Sequence, residues 1–282
     1  MSQIKWDQTG EKKYELGVDH GVLYRHGDSG ETLQEYALAY PWNGLTAVNE
    51  APDGGDANDQ YADNIKYVTI MGTENYVATI EALNYPPEFA ECDGSAEIAP
   101  GVYAGQQRRK PFGFTYRTKI GNDVDGEDAG YKLHLVYGML ASPSDKDYET
   151  MNESPEAMTF SWECRGTAVP CTGYRPTAHL VIDSTKTDAT KLAALEAILY
   201  GQDASEAKDA VYKETTDDAP QTGKTYYTKS GNIYTEFSGS TFDSGTTYYE
   251  MVSPAVPAKE ATNARLPKPD EVMTIMRATT GG

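Results

Sequence analysis

The chain is 282 residues long and carries 43 acidic against 24 basic side chains, a formal net charge of −19. A hydrophobic fraction of 39% is enough for a core of ordinary size at this length, which excludes global disorder. The charge excludes ordinary nucleic-acid binding, because duplex affinity comes from Lys and Arg displacing counterions from phosphates. One large domain or two small ones fit the length. The 21 tyrosines, 26 glycines and 15 prolines, beside few long helical patterns, favour strands joined by turns.

At the start, Lys5, Asp7, Glu11, Lys12 and Lys13 leave no apolar core for a secretory leader. No stretch approaches the roughly 18 apolar residues of a membrane span, so synthesis in the cytoplasm is expected. Residues 41 to 64 read as an exposed loop, in which Asp53, Asp56, Asp59 and Asp63 stand at no metal-ligand spacing. IKYVTIM (65–71) and YVATIEAL (76–83) read as two strands about a turn. Arg108, Arg109 and Lys110 form a basic knot, readable as a solvated turn or as a contact for an acidic partner, a neighbouring subunit included.

The clearest local pattern follows. Phe112, Phe114, Tyr116, Thr118 and Ile120 alternate with Gly113, Thr115, Arg117 and Lys119, and Tyr131, Leu133, Leu135 and Tyr137 alternate with Lys132, His134 and Val136. Period two predicts a hairpin with one wet face, closed by the polar GNDVDGEDAG. Met158, Phe160, Trp162 and Cys164, then Ala178, Leu180 and Ile182, predict two further strands. In 187–201, Leu192, Leu195, Ile198 and Leu199 make one helical stripe, with Thr187 or Asp188 as N-cap and Gly201 as the left-handed stop.

Residues 202–262 contain no Trp, Leu, His or Cys and read as an insertion. GKTYYT at 223 and GTTYYE at 245 repeat, and with VYKETT and NIYTEF they predict a small tyrosine-rich β-meander. The domain plan is therefore 1–201 as the main β part, 202–262 inserted, and 263–282 as a C-terminal strand and arm, with VMTIM as the strand.

Chemistry is harder to find. Asp123, Asp125, Glu127 and Asp128 fail the EF-hand template, since Gly126 at the turn position puts Gly121 and Lys132 at ligand positions. His20, His26, His134 and His179 are scattered, with no HExxH and no cysteine pair at zinc spacing, and read as structural or exposed. No Walker loop, GxSxG or GxGxxG is present, so no cofactor and no catalytic residues are expected, and a binding or structural protein is preferred to an enzyme. Three cysteines, Cys92, Cys164 and Cys171, cannot all pair; a Cys164–Cys171 hairpin disulfide stays open.

Several long strings carry a resemblance: WDQTGEKKYELGVDHGVLY, WNGLTAVNE, YADNIKY, PPEFAECDGSAEIAPGVYAGQQRRKPFGFTYRTKIGND, GYKLHLVYGMLASPSDKDYETMNESPEAMTFSWE and LPKPDEV. They resemble the major tail tube proteins of long-tailed bacteriophages with flexible, non-contractile tails, over nearly everything outside 202–262. The resemblance implies a mainly β, tail-tube-type β-sandwich with one flanking α-helix. It implies homohexameric rings stacked into a hollow virion tail tube, through which double-stranded DNA passes without specific binding. It also implies other tail proteins as partners, such as tape measure and tail terminator, and no membrane. Candidate subunit and ring contacts are Trp42, as apolar anchor, with Asn43, Pro52 and Asp53 in the 41–64 loop, the basic Arg108, Arg109 and Lys110, and Leu266 toward the C-terminus. A lumen face richer in carboxylates than in cations is expected, and the insertion is expected on the outer surface. The other reading is a monomeric surface β-sandwich that binds carbohydrate through the tyrosine-rich insertion.

Overall fold

A computed structural model of the chain describes residues 4–25, 36–148, 150, 153 and 157–278; His26 lies outside them. Two compact units emerge, Met1–Gly201 with Asn263–Gly282, and Gln202–Thr262. The first is mainly β. Its strands are β1 (Tyr14–Arg25), β2 (Leu38–Trp42), β3 (Leu45–Glu50), β4 (Asp53–Gly54), β5 (Ala57–Ala62), β6 (Ile65–Met71), β7 (Glu74–Asn75) and β8 (Val77–Ala82). After a 3₁₀ turn at Pro87–Glu91 come β9 (Ala96–Ala99), β10 (Val102–Ala104), β11 (Phe112–Asn122), β12 (Gly126–Ala141), β13 (Phe160–Arg165) and β14 (His179–Asp183). Helices α1 (Ala189–Tyr200) and α2 (Pro269–Arg277) complete the unit.

Eight strands form one antiparallel sheet in the order β2-β1-β11-β12-β13-β8-β3, with β14 also beside β12. The long β12 lets this sheet fold over itself. Residues 132 to 136 pair with β14, whereas Leu140 and Ala141 pair with β13. Between the two stretches Gly138 takes φ 59°, and a Cβ there would stand 2.8 Å from the carbonyl oxygen of Thr167. Gly138→Ala should therefore cost about 1–3 kcal/mol, seen as a lower urea midpoint.

The two halves of the sheet enclose an aromatic core. Trp42, Phe89 and Trp162 meet with ring centroids 4.6, 5.1 and 5.6 Å apart, joined by Leu23, Ile80, Phe112, Phe114 and Val136. Leu133, Leu135 and Tyr137 point the other way, into a second core closed by Leu192, Leu195 and Leu199 of α1, Val272 of α2, and Leu266. The strands β11 and β12 thus have no wet face along their middles: Thr115, His134 and Val136 are buried. Alternation marks two sides of a strand but cannot tell water from a second packed layer.

α1 begins where Asp188 accepts from the backbone N–H of Thr190 and Lys191 at 3.0 and 3.2 Å. Asp188→Ala should cost about 1 kcal/mol, measurable as a reduced urea midpoint. The expected C-terminal strand is instead α2, so two helices flank the sheet rather than one. Pro269 at the helix start, Asp270 and Glu271 in the first turn and Arg277 in the last all favour a helix. Val272, Ile275 and Met276, at i, i+3 and i+4, then reach one core. Residues 41 to 64 also differ from expectation, since β3, β4 and β5 occupy much of them, and β6 pairs with β5 rather than β8. Cys92, Cys164 and Cys171 are free and buried.

In the second unit β15 (Val211–Glu214), β16 (Tyr226–Ser230), β17 (Ile233–Phe237) and β18 (Tyr248–Ser253) form an antiparallel sheet in the order β15-β18-β16-β17. This is not the expected meander, because the two repeated TYY segments pair with each other, Tyr227 opposite Tyr249. Tyr226, Phe237, Phe242 and Tyr248 pack as one aromatic group, and Tyr212, Tyr227, Tyr234 and Tyr249 as another. At the unit's two ends the chain runs antiparallel to itself through bridges Gln202 to Thr262, Ser205 to Lys259 and Lys208 to Val256.

Candidate functional site

The feature least explained by folding alone is the β5–β6 ribbon. Ala62 and Ile65 close it about Asp63 and Asn64, both at positive φ (51° and 63°), the backbone a two-residue hairpin needs. Asp59 fastens the strands, its carboxylate meeting the Lys66 ammonium and the Thr69 hydroxyl, both at 2.7 Å. Those two partners hold its pKa below the usual value. Beyond this, β5 and β6 pair with no other strand among the described residues, and every residue of both is exposed. The exposed set includes Tyr61, Ile65, Tyr67, Val68, Ile70 and Met71, from 44% to 74% accessible. A lone hairpin is marginal in water, and its outer edges offer unpaired backbone groups to another chain. Several large apolar side chains exposed on one small element point to an interaction surface.

The contact residues expected from sequence do not converge. Trp42 is 2% exposed, and its indole N–H donates to the Asn84 carbonyl at 2.9 Å, so it anchors the core rather than a neighbour. Leu266 is likewise buried, at 3%, in the second core, where its backbone bridges to Tyr36. Both are apolar groups with nearby layers to cover them, which removes them from any outer contact. Asn43 is exposed at the turn from β2 into β3 and lines a surface groove of about 590 Å³ with Asp19, His20, Leu45 and Tyr200. Pro52 and Asp53 are exposed, and Asp53 pairs with Arg165 at 3.3 Å.

The basic knot separates into individual roles. Arg108 is exposed. Arg109 turns inward to donate to the carbonyls of Ala141 and Ser142 at 3.2 and 3.0 Å, with the Asp93 carboxylate 3.5 Å away. Lys110 pairs with Glu91 at 2.7 Å. Two of the three cations are thus engaged within the chain.

A second cluster was hidden from the sequence. His134 on β12, His179 on β14 and Glu50 at the end of β3 converge, and among the described residues they are the one group of three or more His, Cys, Asp or Glu able to hold a metal ion. Burial, and then the neighbouring His179, pull the His134 pKa down to about 4. Burial also lowers that of His179, opposed by the Glu50 carboxylate. The histidines meet because β14 lies beside β12, and Glu50 joins them because the sheet folds over and carries β3 to them; no local spacing shows either.

No helix among the described residues is long and apolar enough to cross a membrane. No protein-family model matches the chain, and no curated protein matches it.

Proposed function

We propose that the chain is a structural virion protein that polymerises, as stacked homohexameric rings, into the tube of a non-contractile phage tail, the conduit for double-stranded DNA. The observation that carries this reading is the β5–β6 ribbon, which exposes six large apolar side chains and two strand edges that no other strand among the described residues covers. A second copy is the occupant that turns such an edge from an aggregation hazard into an interface, and head-to-tail contacts of this type close into rings when the rotation permits. The sequence resemblance supplies the tube, the tape measure and terminator partners, and the place in the virion tail. The charge of −19 agrees with a passage that must not grip its cargo, since each lumen-facing cation would add a salt-dependent hold on phosphate.

Electron microscopy of the purified full-length chain tests the proposal. Tubes of uniform width are expected, while a persistent population of single particles at high concentration would overturn it. The carbohydrate-binding reading has one observation in its favour. Tyr212 and Tyr234 stack at 3.8 Å beside a cavity of about 450 Å³ that Asp209, Lys229 and Asn232 also line. Aromatic faces edged by polar groups suit sugars. Glycan-array binding by the wild-type chain that is lost in Tyr234→Ala would favour that alternative.

A further inference from the structure

The cluster of Glu50, His134 and His179 lies between strands that come from both halves of the folded sheet. β3 carries the carboxylate, while the neighbours β12 and β14 carry the imidazoles. His134 Nδ1 is 3.1 Å from His179 Nε2, and one oxygen of Glu50 is 3.6 Å from the first nitrogen and 3.5 Å from the second. Three ligands on a tetrahedral zinc ion at about 2.0–2.2 Å stand about 3.3–3.6 Å from one another. The two sides to Glu50 fall in that range, and the imidazole–imidazole side, at 3.1 Å, would open slightly to take the ion.

The surroundings hold these atoms in place. The Tyr116 ring stacks on His134 at 4.4 Å and 5°, the two imidazoles lie nearly parallel at 12°, and Tyr76 covers His179 at 4.8 Å. The other ring nitrogen of His134, Nε2, is 3.2 Å from the Thr118 hydroxyl. A proton on Nε2 donated to that hydroxyl leaves the Nδ1 lone pair facing the other two ligands, the outer partner that metal-binding histidines usually have. Tyr76 and Tyr116 donate their hydroxyls to Glu50. Both phenols reach Oε1, the oxygen that faces the imidazoles, so a cation bound there requires one phenol to move to Oε2, which brings two of the carboxylate's roughly four lone-pair sites. The Glu50 side chain is 33% accessible, which leaves water a route to a fourth position.

We propose that Glu50, His134 and His179 form a binding site for one zinc ion, with two imidazole nitrogens, one carboxylate oxygen and a water as ligands. The ion pins β3 to β12 and β14, stapling the two halves of the sandwich together at the rim of the core. Competing ligands are few. Cys92 and Cys164 are buried, and burial pushes the Cys92 thiol up to about 12, so neither is poised as a thiolate ligand. His20 is exposed, next to Asp19 at 2.9 Å, and serves as the control position.

The test uses the full-length chain, stripped of metal with a chelator and titrated with Zn²⁺ alone by calorimetry. One equivalent per chain is expected. At a hundredfold excess over Kd the thermal midpoint should rise by about 5 °C or more. Co²⁺ in place of zinc should give the intense visible absorption of a four-coordinate ion. His179→Gln and Glu50→Gln should each weaken binding at least tenfold and abolish that spectrum, with the metal-free far-ultraviolet dichroism unchanged, while His20→Gln should leave both intact. Substoichiometric zinc binding by the wild-type chain, a weak six-coordinate cobalt spectrum, or binding that survives both cluster variants would overturn the proposal. The wild-type measurements decide even if a variant fails to fold.

Discussion

A chain carrying Val68→Asp and Ile70→Asp should fold and yet form no tubes. Both side chains lie on the exposed β6, on the same side of the strand, and touch no core. Their replacement should shift the stability of the isolated chain by no more than about 0.5 kcal/mol. At an interface between copies the same carboxylates would be buried without partners, at several kcal/mol each, and would recur in every subunit. Sedimentation and negative-stain microscopy read the first effect, and urea unfolding the second. Normal tubes from the double variant would remove the ribbon from the interface, and with it the main physical support for assembly.

The largest stability effect is expected from Trp162→Ala, at about 3–5 kcal/mol. The indole is fully buried, with ring neighbours Trp42, Phe89, Tyr85 and Phe160. Its N–H also donates to Asp93 at 3.2 Å, an acid that is 9% exposed. Asp93 keeps its Lys146 partner at 2.6 Å, so the change opens a cavity and removes one hydrogen bond without leaving the charge alone. Against a total stability of about 5–15 kcal/mol this is a large fraction. Trp162→Phe retains most of the ring contacts and should recover more than half the loss, as judged from the urea midpoint at constant m-value.

What the sequence revealed follows from what local patterns encode. The β11–β12 hairpin, α1 and the four strands of the inserted unit were legible, because period two, a leucine stripe with an aspartate cap and a repeated TYY segment are all local. The second buried face of β12 was not, since His134 and Val136 obey the same alternation whether water or another layer lies beyond them. VMTIM suits a strand by composition, yet Pro269, Asp270 and Glu271 just before it make a helix start that is readable in the sequence and overrides that preference. Trp42 as an anchor and Leu266 as a contact read as outward-facing because a sequence names large apolar groups without naming what covers them. The Glu50, His134 and His179 cluster was invisible for the same reason: its members meet through the β12–β14 pairing and the folding over of the sheet that brings β3 across.

The paired ends of the inserted unit have a kinetic consequence. The segment before residue 202 and the segment after 262 must meet in the main unit, where the backbone N–H of Arg265 donates to the Ile198 carbonyl at 2.9 Å. Left slack, the roughly 60 intervening residues would add to the entropy of closing that loop, by about 0.6 kcal/mol for each doubling of length. Gln202 and Thr262 exchange two backbone hydrogen bonds, at 3.1 and 2.9 Å, and shorten the open span to a few residues. Once zipped, the insertion behaves as a clothes-peg, delivering α2 to its docking place as though the chain had never been interrupted. A foreign module with similarly adjacent ends could be spliced in at the same seam.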